Sequence, residues 1–188
     1  MNKTTLIPQI TAAHQSLWET ARKIPNELTN NNQDGKWSVN ENLDHINKSL
    51  LQQTKFFSVP KTSIGLKYGL ANRASVSYES LKVEYKTVIA SLKGEANSKN
   101  LSKFTPEPNA IFNSDELILD GQETLQKMIE AIQNWSDQQL DLYFCPHPAL
   151  GNITVRELLY FIIIHTQHHE ESIQRKFTNT NPQLQEKH

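Results

Sequence analysis

The chain has 188 residues, which fits one ordinary domain of roughly 100–200 residues with a single sizeable core. Hydrophobic residues at 37% and charged residues at 21% give a globular balance, and a formal net charge of −1 leaves no basic field to draw nucleic acid or an anionic membrane. The N-terminus MNKTTLIPQITAAHQ lacks the apolar run of about 7–15 residues of a secretory signal, and Leu158–Ile164 is far shorter than the roughly 20 residues of a membrane span, so a cytoplasmic protein is expected.

Apolar residues recur at helical spacing in four places. The first stripe runs through Ile7, Ile10, His14, Leu17, Ala21 and Ile24 and stops before Pro25. The polar stretch from Asn26 to Lys36, with three consecutive asparagines and Asp34-Gly35, predicts a loop. Ser38-Val39-Asn40-Glu41 then reads as a capping box: the Ser38 hydroxyl accepts from the backbone three residues on, while Glu41 reaches back. It opens a second helix through Leu43, Ile46, Leu50 and Phe57.

From Ser58 to Ala110 the pattern weakens under Pro60, Gly65, Gly69, Pro106 and Pro108. Only Leu81, Tyr85, Val88, Ile89 and Leu92, ending at Gly94, trace a helical stripe. A structureless loop of this length is anomalous in a compact domain, so a short helix and ordered turns packed over one end of the bundle are expected. The third long helix starts near Ser114, buries Leu117, Leu119, Leu125, Met128, Ile129 and Ile132, and ends close to Trp135, with Gly121 weakening it slightly.

The connection from Ser136 to Ile153 carries Pro146, Pro148 and Gly151, and no strand-type alternation of useful length occurs anywhere. It also holds Cys145, the only cysteine, read as a small, partly buried hydrophobe; no internal disulfide is possible. A second capping box, Thr154 with Glu157, leads into the fourth helix, with Ile153 and Leu158 at the positions of a hydrophobic staple. That helix carries Val155, Leu158, Phe161, Ile162, His165, His169 and Ile173 on one face until Asn179 and Pro182. The expected architecture is an all-α four-helix bundle over residues 1–178, with an irregular, partly helical segment between helices two and three and a disordered tail at 179–188.

His165 and His169 are four residues apart on the apolar face, their Cβ atoms about 5–6 Å apart. Seven histidines would give such a pair by chance roughly one time in four, so spacing alone decides little. Placement on a buried stripe adds weight, because an inward imidazole needs either hydrogen-bond partners or a metal. His45, about 100° off the stripe of helix two, can supply a third nitrogen at the edge of the core. Three imidazoles from two helices leave a position open for water or substrate and suit Zn, Ni, Fe or Cu. His14 reads as core or pocket lining, His168 as solvated or near the site, His147 as part of the loop and His188 as part of the tail.

Trp37-Ser38-Val39-Asn40-Glu41-Asn42-Leu43-Asp44-His45-Ile46 resembles the start of helix two in the DinB-like family. His147-Pro148-Ala149-Leu150-Gly151-Asn152-Ile153-Thr154, followed by His165-Thr166-Gln167-His168-His169, is similar to its second hallmark. The resemblance covers about a quarter of the chain strongly and the rest by helix order alone. It implies one divalent metal (Zn, Ni or Fe) held by His45, His165 and His169. It also implies a small-molecule substrate, a homodimer, and, in members of known chemistry, thiol-dependent S-transfer or isomerisation with a low-molecular-weight thiol as co-substrate. The leading expectation is thus a thiol-dependent S-transferase. A metal-dependent hydrolase is the alternative and would need a carboxylate base, for which Glu41 is in reach but better explained as a cap. Asp44 and Glu170 adjoin ligands in sequence and point elsewhere. A metal-binding, stress-related protein without turnover is the third reading.

Overall fold

In the computed structural model, residues 1–32, 36–91, 102–107 and 110–180 are described. Four long helices form the frame: α1 (Lys3–Arg22), α2 (Val39–Phe57), α5 (Ser114–Gln133) and α7 (Val155–Thr180). Between them lie the short helices α3 (Lys61–Tyr68), α4 (Tyr78–Ser91) and α6 (Asp137–Leu142), and an antiparallel ribbon of β1 (Phe144–His147) and β2 (Gly151–Thr154). Helix α2 packs chiefly on α5 and α1 on α7, while α7 also meets α2, α4, α6 and the ribbon. Residues 153–166 are consequently buried without a break, which is why this helix is apolar nearly all round at its start.

Local chemistry sets the ends of these helices. The Ser38 hydroxyl accepts from the Glu41 N–H at 3.1 Å, and the Ser38 N–H donates to Glu41 Oε2 at 2.6 Å. At the start of α7 the Thr154 N–H donates to Glu157 Oε2 at 2.7 Å, and the Glu157 N–H to Thr154 Oγ1 at 3.2 Å. A third box, Ser136 with Gln139, starts α6. Each such cap contributes about 1 kcal/mol.

Several expectations from the sequence change. The connection at 136–153 is a helix followed by a hairpin, its strands too short for alternation to register. Leu119 is 56% exposed, because Ile118 and Leu125 take the inward face of α5. Gly121 is required: a Cβ there would meet Asn47 Oδ1 at 2.7 Å and Trp18 Cζ2 at 3.2 Å, and the Asn47 amide is held by the Leu117 carbonyl at 2.7 Å. Its helix-weakening cost is exchanged for close approach of α5 to α1 and α2. The expected turn at Asp34-Gly35, the helix end at Leu92 and Gly94, the loop residue Pro108, the stop at Pro182 and most of the tail lie outside the described residues, and α7 itself runs to Thr180.

The 58–110 segment is anchored at its middle. Arg73 forms a two-pronged ion pair with Glu157, at 2.5 and 2.8 Å, and the Val76 N–H donates to the same carboxylate at 2.6 Å. Glu157 has no exposed side-chain surface, so this pair is better shielded from water than a surface bridge. It fixes the start of α4 against α7, and Tyr85 of α4 then packs edge-on to Phe161, with ring centres 5.6 Å apart.

Candidate metal centre

His45 stands in the middle of α2, and His165 and His169 one turn apart on α7. Their side chains meet. His45 Nε2 lies 2.9 Å from His165 Nε2, and His169 Nε2 lies 3.1 Å from His165 Nε2. One ligand atom from each falls within 4.8 Å of the others, and no other such group of three or more His, Cys, Asp or Glu occurs among the described residues.

The outer nitrogens fix which way these rings face. His45 Nδ1 is 2.8 Å from the Phe104 carbonyl, which can only accept, so the proton sits on Nδ1 and the Nε2 lone pair points to the centre. His169 Nδ1 is 2.7 Å from Asn42 Oδ1. The Asn42 amide is oriented by its own donations to the carbonyls of Ser38 at 2.7 Å and Trp37 at 3.3 Å, so His169 too is Nδ1–H with a free Nε2. At the centre one proton at most, on His165 Nε2, faces two acceptors.

Aromatic faces hold the rings in place. Trp37 lies over His45 and, nearly parallel at 16°, over His169, with centres 4.8 and 5.9 Å apart. Phe161 stacks on His165 at 4.8 Å and 18°. Burial, with a small contribution from neighbouring positive charge, pushes His45 down to about 4. His165 and His169 fall well below the ordinary imidazole range, first through burial and then through the other histidines. Three neutral imidazoles with converging lone pairs are the donor set that a borderline transition-metal ion binds. The separations also fit, since bonds of about 2.0–2.1 Å to one ion hold ligand nitrogens roughly 3 Å apart.

A cavity of about 620 Å³ opens on this centre. Its walls come from α2, from Tyr68 of α3 and Tyr85 and Ile89 of α4, from Lys103 and Phe104, from the ribbon and from α7. No carboxylate lines it among the described residues. Glu41 is consumed by the cap and by the Asn32 amide, at 3.1 and 3.2 Å. Asp44 pairs with Lys48 at 2.7 Å, and Glu170 accepts from Ser16 and Thr20 at the α1 side. Cys145 lines the cavity, but burial pushes its thiol up to about 12, so it is a packed hydrophobe and not a nucleophile.

A family model described as the DinB superfamily matches residues 9–173. The chain belongs to that superfamily. The solved structure of YfiT from Bacillus subtilis, described as a probable metal-dependent hydrolase with an unusual four-helix bundle topology, is similar with a TM-score of 0.60 at 16% identity. The match covers 93% of this chain and 87% of that one. At that identity the likeness bears on the fold, and it makes this DinB-superfamily chain a four-helix bundle as the helix pattern predicts. No curated protein matches the chain. Among the described residues no helix is long and apolar enough to cross a membrane.

Of the other histidines in this DinB-superfamily chain, His14 is core: its Nδ1 donates to the Ile10 carbonyl at 2.8 Å and it is 1% exposed. His168 is half-buried and near the site: it lines the cavity edge-on to Tyr85, with centres 5.8 Å apart. His147 is no bystander of a loop either, for it also lines the cavity. His188 lies outside the described residues. Asn42, Trp37 and Phe104 support the centre without having been marked as site residues. Asn42 sits one turn before His45, a weak signal, whereas a backbone carbonyl such as that of Phe104 leaves none in a sequence.

Proposed function

We infer that the three imidazoles hold one divalent transition-metal ion and that the protein is a metal-dependent enzyme, most simply a thiol-dependent S-transferase. The observation that carries this reading is the convergence of three Nε2 atoms, two with their lone pairs fixed inward by Phe104 and Asn42, at the floor of an open cavity. Such an ion supplies positive charge that favours the thiolate of a thiol, or the ionised form of a water, that reaches it.

The chain's own part is positioning and exclusion. His45, His165 and His169 occupy one side and leave the cavity side free, as in sites that bind exogenous ligands. Trp37, Phe161 and Tyr85 give apolar walls that keep water from competing with a soft nucleophile and accept an apolar electrophile. Sulfur forms the new bond to carbon, the leaving group departs with its bonding pair, and the thiol proton goes to solvent. This needs no general base, which accords with a lining free of carboxylates among the described residues.

A second reading, metal-assisted hydrolysis, is favoured by the similarity to YfiT, itself described as a probable metal-dependent hydrolase. The test is to incubate zinc- or nickel-loaded protein with a panel of small thiols and a chromogenic aryl halide. Metal-dependent conjugation is expected. Ester or amide cleavage without thiol would replace the first reading by the second, and no turnover with either would leave a metal-carrying protein.

A further inference from the structure

His147 closes β1 and faces Gly151 across the ribbon, with Pro148-Ala149-Leu150 between them as a three-residue loop. Gly151 has φ +69°, the left-handed conformation that such a loop calls for at its end. The loop folds its free N–H groups back onto the His147 ring: those of Ala149 and Leu150 donate to Nδ1 at 3.2 and 3.0 Å. A ring nitrogen that accepts two N–H bonds carries no proton, so the neutral ring has its proton on Nε2. Pro148 offers no N–H and leaves Nδ1 to its two donors.

Nε2 is on the side of the ring away from the loop, and the ring lines the same cavity as the three converging imidazoles. Phe161 touches both rings, its centre 4.2 Å from His147 and 4.8 Å from His165, so the His147 ring is linked to the three-histidine cluster through one aromatic ring. Charging the ring would put a proton on Nδ1 against two donors in a half-buried place. The tautomer is thereby opposite to that of His45 and His169: they present lone pairs, and this one presents a donor.

We propose that His147 is a specificity-determining residue, a fixed neutral donor whose Nε2–H binds a carbonyl or nitro oxygen on an apolar-bodied electrophile occupying the cavity. That the occupant is an electrophile rests on the S-transferase reading; that the cavity selects an oxygen acceptor does not. A donor that an occupant strips of water without replacing the hydrogen bond discriminates against ligands that lack the acceptor.

The test uses the full chain loaded with zinc and two unreactive probes of similar size, acetophenone and ethylbenzene. Nitrogen-15 NMR of the histidine rings reports His147 as Nε2–H at neutral pH, and acetophenone shifts its Nε2 and Hε2 resonances while ethylbenzene does not. Acetophenone binds roughly three- to tenfold more tightly, the range of one hydrogen bond. His147→Phe abolishes that preference, and His147→Gln, which places an amide N–H near Nε2, restores part of it. The proposal is overturned by a proton on Nδ1, by equal binding of the two probes, by binding of neither, or by a preference that survives His147→Phe. The NMR arm needs no variant, should the Phe substitution unfold the hairpin. Absence of thiol conjugation by the wild-type protein would overturn the S-transferase reading while these binding measurements stay interpretable.

Discussion

His14 on α1 and the cluster formed by α2 and α7 are two places where the same side chain is buried to nearly the same depth. His14 is 1% exposed, and His165 and His169 are each 7% exposed. All three lose proton affinity chiefly to burial. What separates them is the second nitrogen. His14 spends Nδ1 on its own helix, at the Ile10 carbonyl, and Nε2 lies 3.4 Å from the Thr166 hydroxyl. In the cluster Nδ1 of two rings is likewise anchored, but the Nε2 atoms of all three converge on one another. Depth therefore does not distinguish the two places; convergence of ring nitrogens does.

The sharpest way to break that contrast is to remove one ring from each place. His165→Ala or His169→Ala is expected to abolish bound metal on elemental analysis, with His45→Ala close behind, while His14→Leu leaves the metal content unchanged. Full retention by any of the three alanine variants would strike that residue from the ligand set.

Acid separates the two places next. Burial pushes His14 down to about 4 from 6.5, so the unfolded chain binds the extra proton first. Its contribution to stability is intact above 6.5 and is lost as pH falls through the window from 6.5 to 4. In metal-free protein the loss between pH 7 and pH 5 is on the order of 2 kcal/mol for this residue. His14→Leu should flatten the urea midpoint against pH by that amount; an unchanged slope would show that the ring is not held neutral.

Support of the rings is a subtler handle. Asn42→Leu removes the acceptor for His169 Nδ1–H and is expected to weaken metal affinity 10- to 100-fold in chelator competition. An unaltered affinity would mean that the inward tautomer of His169 is set elsewhere. Smallest is Ser38→Ala, which loses the cap hydroxyl and about 1 kcal/mol in urea titration. Asn42 is held by the backbone carbonyl of Ser38, so metal affinity should not follow.

The sequence was most legible where local rules act. Ser38 with Glu41 and Thr154 with Glu157 are i, i+3 patterns whose partners are fixed by helix geometry, and both boxes form. Ser136 with Gln139 obeys the same rule, but the prolines and turn residues of its connection mask the pattern. The pair His165 and His169 was legible as one face, and His45 entered through its edge position and the family resemblance. What failed to register depends on distant chain: Asn42 reaching His169, the Phe104 carbonyl on His45, and His147 turned into the cavity by a hairpin only four residues per strand. Gly121 read as a blemish because the atoms it must avoid, on Asn47 and Trp18, belong to other helices.

The Arg73–Glu157 clamp has one more consequence. It joins the 58–110 segment to α7 at a point that touches none of the three imidazoles, yet the segment contributes Tyr68, Tyr85 and Ile89 to the chamber. One wall of the chamber facing the three rings is therefore written in a stretch of chain apart from α2 and α7. Relatives could exchange residues 61–91, keeping Arg73, and so acquire new guests while the three-histidine cluster stays as it is.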